Sequence, residues 1–229
     1  MTAPATTTRT NEITIGMTGR ELRQFLGAVL PHASTDDSLP VLTMVTFEAT
    51  GDMLHALATD RYTLAIARHP LPDPAPDKVT LTVPAAALGA VLRQIKVRAD
   101  VRLTLTSDGL TLDQLSDPRL TYRLHATGEA PLLADWRNWI ANRLTAKPEP
   151  VVTSARGVAL NPDYLARFRA ASRDHLPLEI RPAGRCMVIT CGTHFLGLVT
   201  PMDLTKMSEY STDPLTGWLS TPPADTNAA

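Results

Sequence analysis

Several features that define whole classes of proteins are scarce or missing in this chain of 229 residues. It has only two cysteines, Cys186 and Cys191, and residues five apart on a strand point to opposite faces, so we expect reduced thiols rather than a disulfide. The longest apolar stretch, near Ala85–Leu92, is far shorter than the ~20 residues that cross a membrane. Residues 1–11 show no apolar run typical of a secretory signal. These absences predict a cytoplasmic protein without a membrane partner.

Catalytic and metal-binding motifs are missing as well. The sequence contains no Gly-Lys-Ser/Thr phosphate loop, no Gly-x-Ser-x-Gly nucleophile motif and no His-Glu-x-x-His zinc motif. The six histidines are scattered, and none stands with a cysteine or a carboxylate at metal-ligand spacing. The pair Asp36-Asp37 lies among serines and a threonine, which is typical of a solvated turn. We therefore expect a binding protein rather than an enzyme, with no catalytic residue, no metal and no cofactor.

What is present is a repeated order of elements, since a strand, a helix and three strands occur three times between residues 12 and 204. Apolar residues three and four apart mark the helices, and alternating apolar residues mark the strands. This order predicts an α+β fold of three strand-helix-three-strand repeats; the alternative is a generic α+β domain without repetition. The predicted divisions are a disordered N-terminus (1–11), a two-repeat domain (12–127), a linker (128–149), a half-domain of one repeat (150–204) and a flexible tail (205–229).

Local signals predict where these elements begin and end. Thr18 followed by Glu21 predicts a capping box at the start of the first helix. Gly51-Asp52 is typical of a hairpin turn and predicts a break between two strands. Asn161-Pro162 predicts the start of the third helix, with a strand before it in Val151–Leu160.

The net charge is only −1, but the charge is unevenly distributed. The three predicted helices, 18–30, 84–98 and 161–173, carry eight basic residues and two acidic ones. Equivalent helices of a repeat fold lie on one face, so we expect a basic face that attracts phosphate backbones without reading sequence. The alternative is that these residues only solvate the helices. The basic residues are Arg20, Arg23, Arg93, Lys96, Arg98, Arg167, Arg169 and Arg173.

Several short motifs stand in a characteristic order along residues 39–202. They are Leu39-Pro40-Val41-Leu42 with Ala58-Thr59-Asp60-Arg61-Tyr62-Thr63-Leu64-Ala65, then Leu133-Ala134-Asp135-Trp136-Arg137, Asn161-Pro162-x-Tyr164-Leu165 and Leu198-Val199-Thr200-Pro201-Met202. Together they resemble the motifs of the bacterial sliding-clamp family, the β subunits of DNA polymerase III. The strand-helix-three-strand repeat is also the half-domain of that family, so the resemblance implies a DNA-clamp fold.

The resemblance implies a processivity factor of DNA replication. Such a protein forms a ring whose basic helices face duplex DNA, and a hydrophobic pocket binds short peptides of the DNA polymerase and other partners. Apolar and aromatic residues with a few polar atoms suit the anchoring of leucine and phenylalanine side chains; the alternative for the leucines is a place in the strand core. The pocket motif falls on Leu42, Thr59, Tyr62, Leu64, Trp139, Leu198, Thr200, Pro201 and Met202.

The chain departs from the family pattern in one motif and in length. Thr200-Pro201-Met202-Asp203 stands where the family has Met-Pro-Met-Arg, which alters one wall of the pocket. Family members have six repeats, and this chain resembles their second domain and the last half of the third. A family ring holds twelve repeats, so we expect four copies of this chain to close one as a homo-oligomer. The alternative is a non-ring adaptor or decoy that binds clamp-interacting proteins.

One segment of the predicted tail stands out by its composition. Residues 213–219 read Asp-Pro-Leu-Thr-Gly-Trp-Leu and are apolar within a polar stretch. They are a candidate occupant of such a pocket, in this chain or in a neighbouring one; the alternative is a chance composition.

Overall fold

The computed structural model describes residues 12–204 except for 129, 130, 132, 154–156 and 174. The predicted N-terminal segment 1–11 and tail 205–229 lie outside the described residues. The strands are β1 (Ile13–Thr18), β2 (Met44–Thr59), β3 (Thr63–Pro84), β4 (Asp100–Thr106), β5 (Gly109–Gln114), β6 (Leu120–His125), β7 (Glu179–Ala183), β8 (Cys186–Cys191) and β9 (Phe195–Val199). The α-helices are α1 (Gly19–Gly27), α2 (Ala85–Gln94), α3 (Trp136–Thr145), α4 (Pro150–Thr153) and α5 (Pro162–Arg167). Among the described residues, no helix is long and apolar enough to traverse a bilayer.

Two antiparallel sheets form the framework. Sheet A has the strand order β1-β4-β5-β6, and sheet B has the order β2-β3-β9-β8-β7. Burial alternates along β1, where Ile13, Ile15 and Met17 face the core, as expected for a strand with one face in water. Helix α1 packs on β1, β3 and β4. The predicted α+β class is therefore confirmed.

The start of α1 follows the predicted capping box. The Thr18 hydroxyl accepts a hydrogen bond from the Glu21 backbone N–H at 3.2 Å, and Glu21 Oε2 accepts one from the Thr18 backbone N–H at 2.7 Å. The Thr18 hydroxyl also donates to Glu21 Oε2, at 2.8 Å. The bond from the Thr18 backbone N–H, and then the bond from its hydroxyl, hold the pKa of the Glu21 carboxyl below its ordinary value. The predicted helix is too long at its end, because α1 stops at Gly27 and a short 3-10 turn follows at Leu30–His32.

The predicted hairpin at Gly51-Asp52 is wrong, because β2 runs through these residues and pairs with β3 on both sides of them. The pairing moves from Ala49 opposite Val79 to Gly51 opposite Ala75, so β3 contributes more residues than β2 here. Gly51 has a φ of +56°, which suits a bulge as well as a two-residue turn. The glycine therefore marks an irregularity within one long ladder rather than the end of a strand.

The third repeat joins sheet B instead of forming a separate layer. Strand β9 lies antiparallel to β3, with Leu64 opposite Leu198, and β8 and β7 follow. Phe168, in a 3-10 turn that continues α5, is fully buried in the same core as Phe25 of the first repeat. The strand predicted in Val151–Leu160 is wrong, since its described residues are helical in α4 or without regular structure.

The predicted linker 128–149 contains a helix, α3, that sequence analysis missed. Its first residue, Trp136, donates an indole hydrogen bond of 3.3 Å to Glu48 Oε1, and Arg137 pairs with the same carboxylate. Lys78 Nζ lies 2.6 Å from Glu48 Oε2. Burial raises the pKa of Glu48, but the hydrogen bonds from Lys78 and Arg137 outweigh burial and lower it. Because α3 is only weakly amphipathic, this buried tertiary anchor decides its position.

Candidate binding groove and basic helical face

An open groove of about 400 Å³ lies between α3 and the neighbouring ends of β3 and β9. Six of the nine residues predicted for a pocket line it, although they come from three separate parts of the chain. The lining residues are Thr59, Arg61, Tyr62, Thr63, Leu64, Leu133, Trp139, Arg143, Cys186, Leu198 and Thr200. The structure thus brings Thr59, Tyr62, Leu64, Trp139, Leu198 and Thr200 together.

A smaller cavity of about 20 Å³ continues the groove along β2. It shares Thr59, Leu64 and Leu133 with the larger cavity, so the two form one depression. Its further lining residues are Val41, Met44, Thr46, Leu57 and Ala58. We call the two cavities together the groove.

Three predicted pocket residues do not line the groove. Leu42 and Pro201 are buried, and Leu42 lies in the 3-10 turn that precedes β2. Met202 is 38% exposed, and its backbone N–H donates to the carbonyl of Ala159 at 2.9 Å. These three residues lie close to the groove in the chain, but the local motif does not show which of their side chains line it.

One partly buried carboxylate organises the loop between β2 and β3. Asp60 Oδ1 accepts hydrogen bonds from the backbone N–H groups of Tyr62 (3.0 Å) and Thr63 (2.7 Å) and from the Thr63 hydroxyl (3.0 Å). Asp60 Oδ2 pairs with Arg167 of α5, which also donates to Thr63 Oγ1 at 3.0 Å. Burial raises the pKa of Asp60, but the hydrogen bonds from Arg167 and Thr63 outweigh burial and lower it, which keeps the group ionised.

This loop holds Tyr62 at the mouth of the groove. The Tyr62 side chain is 53% exposed, and its ring stacks on Tyr164 of α5 with the centroids 5.3 Å apart and the planes at 16°. The Arg167 guanidinium lies 4.9 Å from the centroid of the Tyr164 ring. The Thr200 backbone N–H donates to the Tyr62 carbonyl at 2.9 Å, which ties the end of β9 to the same loop. Tyr62 is therefore an exposed aromatic ring on a rigid support.

The charge at the groove is positive. Arg61 is exposed, and Arg143 lies with its guanidinium carbon 4.7 Å from the centroid of the Trp139 ring. Burial raises the pKa of the Cys186 thiol, so this lining residue is neutral at pH 7. An apolar depression with two aromatic rings and two guanidinium groups suits an extended peptide that has apolar side chains and a negative charge.

Sequence analysis missed five of the residues that line the larger cavity. Arg61 and Thr63 stand inside the quoted Ala-Thr-Asp motif, so their position beside Tyr62 was a usable signal. Leu133 stands at the start of the Leu-Ala-Asp-Trp-Arg motif, which points to the same place. Arg143 and Cys186 carry no local signal, because only the docking of α3 and the pairing of β8 bring them to the groove.

Helix α1 contacts both of the other basic segments. Arg23 of α1 donates to the backbone carbonyl of Ile95, just after α2, at 2.6 Å, and α1 also contacts the 3-10 turn Phe168–Ala171. The helices are shorter than predicted, so Lys96, Arg98 and Arg173 follow the helical ends. Among the eight predicted basic residues, the exposed ones are Arg20, Arg93, Lys96, Arg98 and Arg169.

Arg167 and Arg23 are used inside the protein, whereas Lys96 donates to the Asp117 carbonyl at 3.0 Å and stays exposed. Arg167 is only 25% exposed and is engaged by Asp60 and Thr63. Arg23 is half-buried and uses its guanidinium to link α1 to the end of α2. Both residues hold elements together, so we assign the outward positive charge of this face to the five exposed residues. In the part of the chain that the structure describes, no three His, Cys, Asp or Glu residues are grouped to hold a metal ion.

Comparison with known proteins agrees with this geometry. Residues 17–125 match the family model of the DNA polymerase III beta subunit, central domain. The beta sliding clamp of Micrococcus luteus is 35% identical over 115 residues, which are 49% of this chain and 37% of that protein. The chain thus spans little more than a third of the length of this curated relative.

Solved structures show the same fold. The sliding clamp of Bacillus subtilis superposes with a TM-score of 0.62 at 14% identity, covering 88% of this chain and 67% of that one. A putative DNA polymerase III beta subunit of Eubacterium rectale superposes with a TM-score of 0.62 at 11% identity, covering 84% and 66%. The predicted resemblance and the clamp fold are therefore confirmed.

Proposed function

From the premise that this chain has the sliding-clamp fold and carries a match to the central domain of that family, we propose that it is a clamp subunit. Several copies enclose duplex DNA, and the groove tethers the DNA polymerase and other partners, so the protein acts as a processivity factor and not as an enzyme. The observation that carries this proposal is the pairing of a basic helical face with a peptide-sized groove on one clamp framework.

The basic face supports non-specific contact with DNA. Guanidinium and ammonium groups attract phosphates of any sequence, and a sliding protein needs contacts that carry no sequence information. The exposed residues lie on α1, on α2 and the residues just after it, and in the 3-10 turn Phe168–Ala171. Helix α1 contacts both of the other segments, so we propose that the five residues form one surface rather than isolated charges.

The sheet edges support self-association. The end strands are β1 and β6 in sheet A and β2 and β7 in sheet B. An unpaired edge is a template for a strand of another copy. On β7, Ile180 is 48% exposed, which places an apolar side chain on such an edge. We propose a homo-tetramer, because four copies supply the twelve repeats of a family ring.

The experiment that tests the ring is the native mass in solution. Size exclusion with light scattering should give four times the chain mass of 24.8 kDa at micromolar concentration. A trimer contradicts the twelve-repeat ring. A monomer or a dimer contradicts closure around DNA.

The second candidate function is a non-ring adaptor or decoy that binds clamp-interacting proteins through the groove. The observation that favours it is that residues of a single chain line the groove, so binding of a partner peptide does not need a ring. A monomeric native mass with preserved binding of partner peptides would support it over the ring.

We expect reversal of two exposed charges on the basic face to weaken DNA binding. Each phosphate contact contributes about 0.9 to the slope of log affinity against log salt, so Arg93→Glu with Arg98→Glu should make that slope shallower by about 1.8. Anisotropy titrations of a labelled duplex at several salt concentrations measure it. The matched control is Arg102→Glu with Arg123→Glu, which changes the net charge equally on exposed strand positions of sheet A. Equal slopes for both double variants would contradict the basic face.

A further inference from the structure

We propose that residues 213–219 of this chain dock in its own groove and compete there with partner peptides. This inference rests on the proposed peptide-binding role of the groove. It assigns to the groove an internal occupant, and it makes binding of an external peptide a displacement rather than a simple association.

The groove and the segment are chemically complementary. The segment offers Leu215, Trp218 and Leu219, which are apolar, within a stretch rich in serine, threonine and proline. The groove offers a floor of leucines and the exposed ring of Tyr62, which is the kind of surface that takes up leucine and tryptophan anchors. An exposed apolar surface of this kind is stabilised when it is covered.

Charge favours the same pairing. Asp213 directly precedes the apolar residues of the segment, and Glu209 lies four positions before it. The groove carries Arg61 and Arg143 and has no acidic lining residue among those described. The negative charge beside the apolar anchors therefore faces the positive side chains of the groove. This attraction favours an acidic segment over a basic one with similar apolar residues.

The segment is within reach of the groove. Thr200 lines the groove and is four residues from Leu204, the last described residue, so Leu204 lies within about 14 Å of it. Eleven further residues lead to Leu215, and a chain of that length extends to at most about 40 Å. The tether is therefore longer than the distance it has to span, and docking needs no rearrangement of sheet B.

Tethering makes even a weak segment effective. A ligand joined by a short linker acts at an effective concentration of millimolar order. If the free segment binds with a dissociation constant of about 0.1 mM, the tethered one is docked about ten times as often as it is released, and an external peptide binds about tenfold more weakly. Partners with several anchors or a higher affinity still displace the segment.

The test uses the full chain and a fluorescein-labelled peptide with the sequence of residues 211–221, followed by anisotropy. The variant Trp218→Ala with Leu219→Ala removes the internal competitor and should bind the peptide about tenfold more tightly than the unmodified chain. Met207→Ala, which removes an apolar side chain outside the segment, is the matched control and should leave the affinity unchanged. Adding Tyr62→Ala and Trp139→Ala to the tighter-binding variant should abolish peptide binding.

Four results would overturn the proposal. These are equal affinities for the unmodified chain and the double variant, no peptide binding by any variant, and binding that ignores Tyr62→Ala and Trp139→Ala. The fourth is a gain that disappears when the protein is diluted, because that assigns the groove to the segment of a neighbouring copy. None of these four results bears on the native mass or on the DNA titrations. Failure of this inference is therefore distinguishable from failure of the clamp function.

Discussion

Replacing Asp60 by alanine should lower the free energy of unfolding by about 3 kcal/mol, the lower end of the range for breaking a buried ion pair. The lower end applies because Arg167 is 25% exposed and regains part of its hydration when it is left alone. The change also removes the acceptor of the Tyr62 and Thr63 backbone N–H groups. Denaturant unfolding followed by circular dichroism measures the difference.

The control for this prediction is Asp52→Ala, an exposed carboxylate on the same strand pair, which should change stability by less than about 0.5 kcal/mol. A double-mutant cycle with Arg167→Ala isolates the pair, since residues in contact are not additive. Equal losses from Asp60→Ala and Asp52→Ala would show that the loop does not depend on the buried carboxylate.

The contribution of Asp60 to the free energy of unfolding should decrease as the pH falls. Its pKa is lower in the folded protein than the value of about 3.9 expected in an unfolded chain. The stabilisation is therefore complete above the unfolded pKa and is lost as the pH falls through the lowered folded pKa. The stability difference between the unmodified chain and Asp60→Ala should be full at pH 7 and should shrink below about pH 4.

Replacing Phe168 by alanine should lower the free energy of unfolding by about 3–5 kcal/mol, because it empties a fully buried aromatic site. The Phe168 ring packs on His32 at 4.6 Å and on Phe195 at 6.2 Å between centroids, so it joins the third repeat to the first. It also fills the space above Gly197, where an added Cβ would clash with the Phe168 ring. Denaturant unfolding of the full chain measures the loss.

The matched control is Leu165→Ala, one turn earlier on the same helical segment, where the side chain is 38% exposed. We expect a loss well below that of Phe168→Ala, because little apolar area leaves contact with the protein. Similar losses for the two variants would mean that the third repeat is not held by the shared core.

The starts of α1 and α5 could be predicted because their signals are local. The capping box at Thr18 and Glu21 and the Asn161 cap depend on residues at most three positions apart. The same local logic failed at Gly51, where the bulge depends on how many residues the partner strand supplies.

The groove could be predicted only in part. Leu64 of β3 and Leu198 of β9, which the sequence motifs named, line the groove, and their role in peptide binding stays a prediction. The sequence did not show that Leu42 and Pro201 are buried, nor that Arg143 and Cys186 line the groove. The position of Arg143 depends on α3, whose place is decided by Glu48, a buried residue 88 positions before Trp136.

The sequence by itself determined the composition of the repeats, the excess of basic residues on three helices and the caps that start two of them, because propensity, periodicity and capping act over a few residues. Only the tertiary structure decided that the third repeat extends sheet B through β9. It also decided that Arg167 is used inside the protein and not on the basic face. The physical reason is that strand partners and ion-pair partners are chosen by burial and geometry among residues far apart in the chain, which no local pattern records.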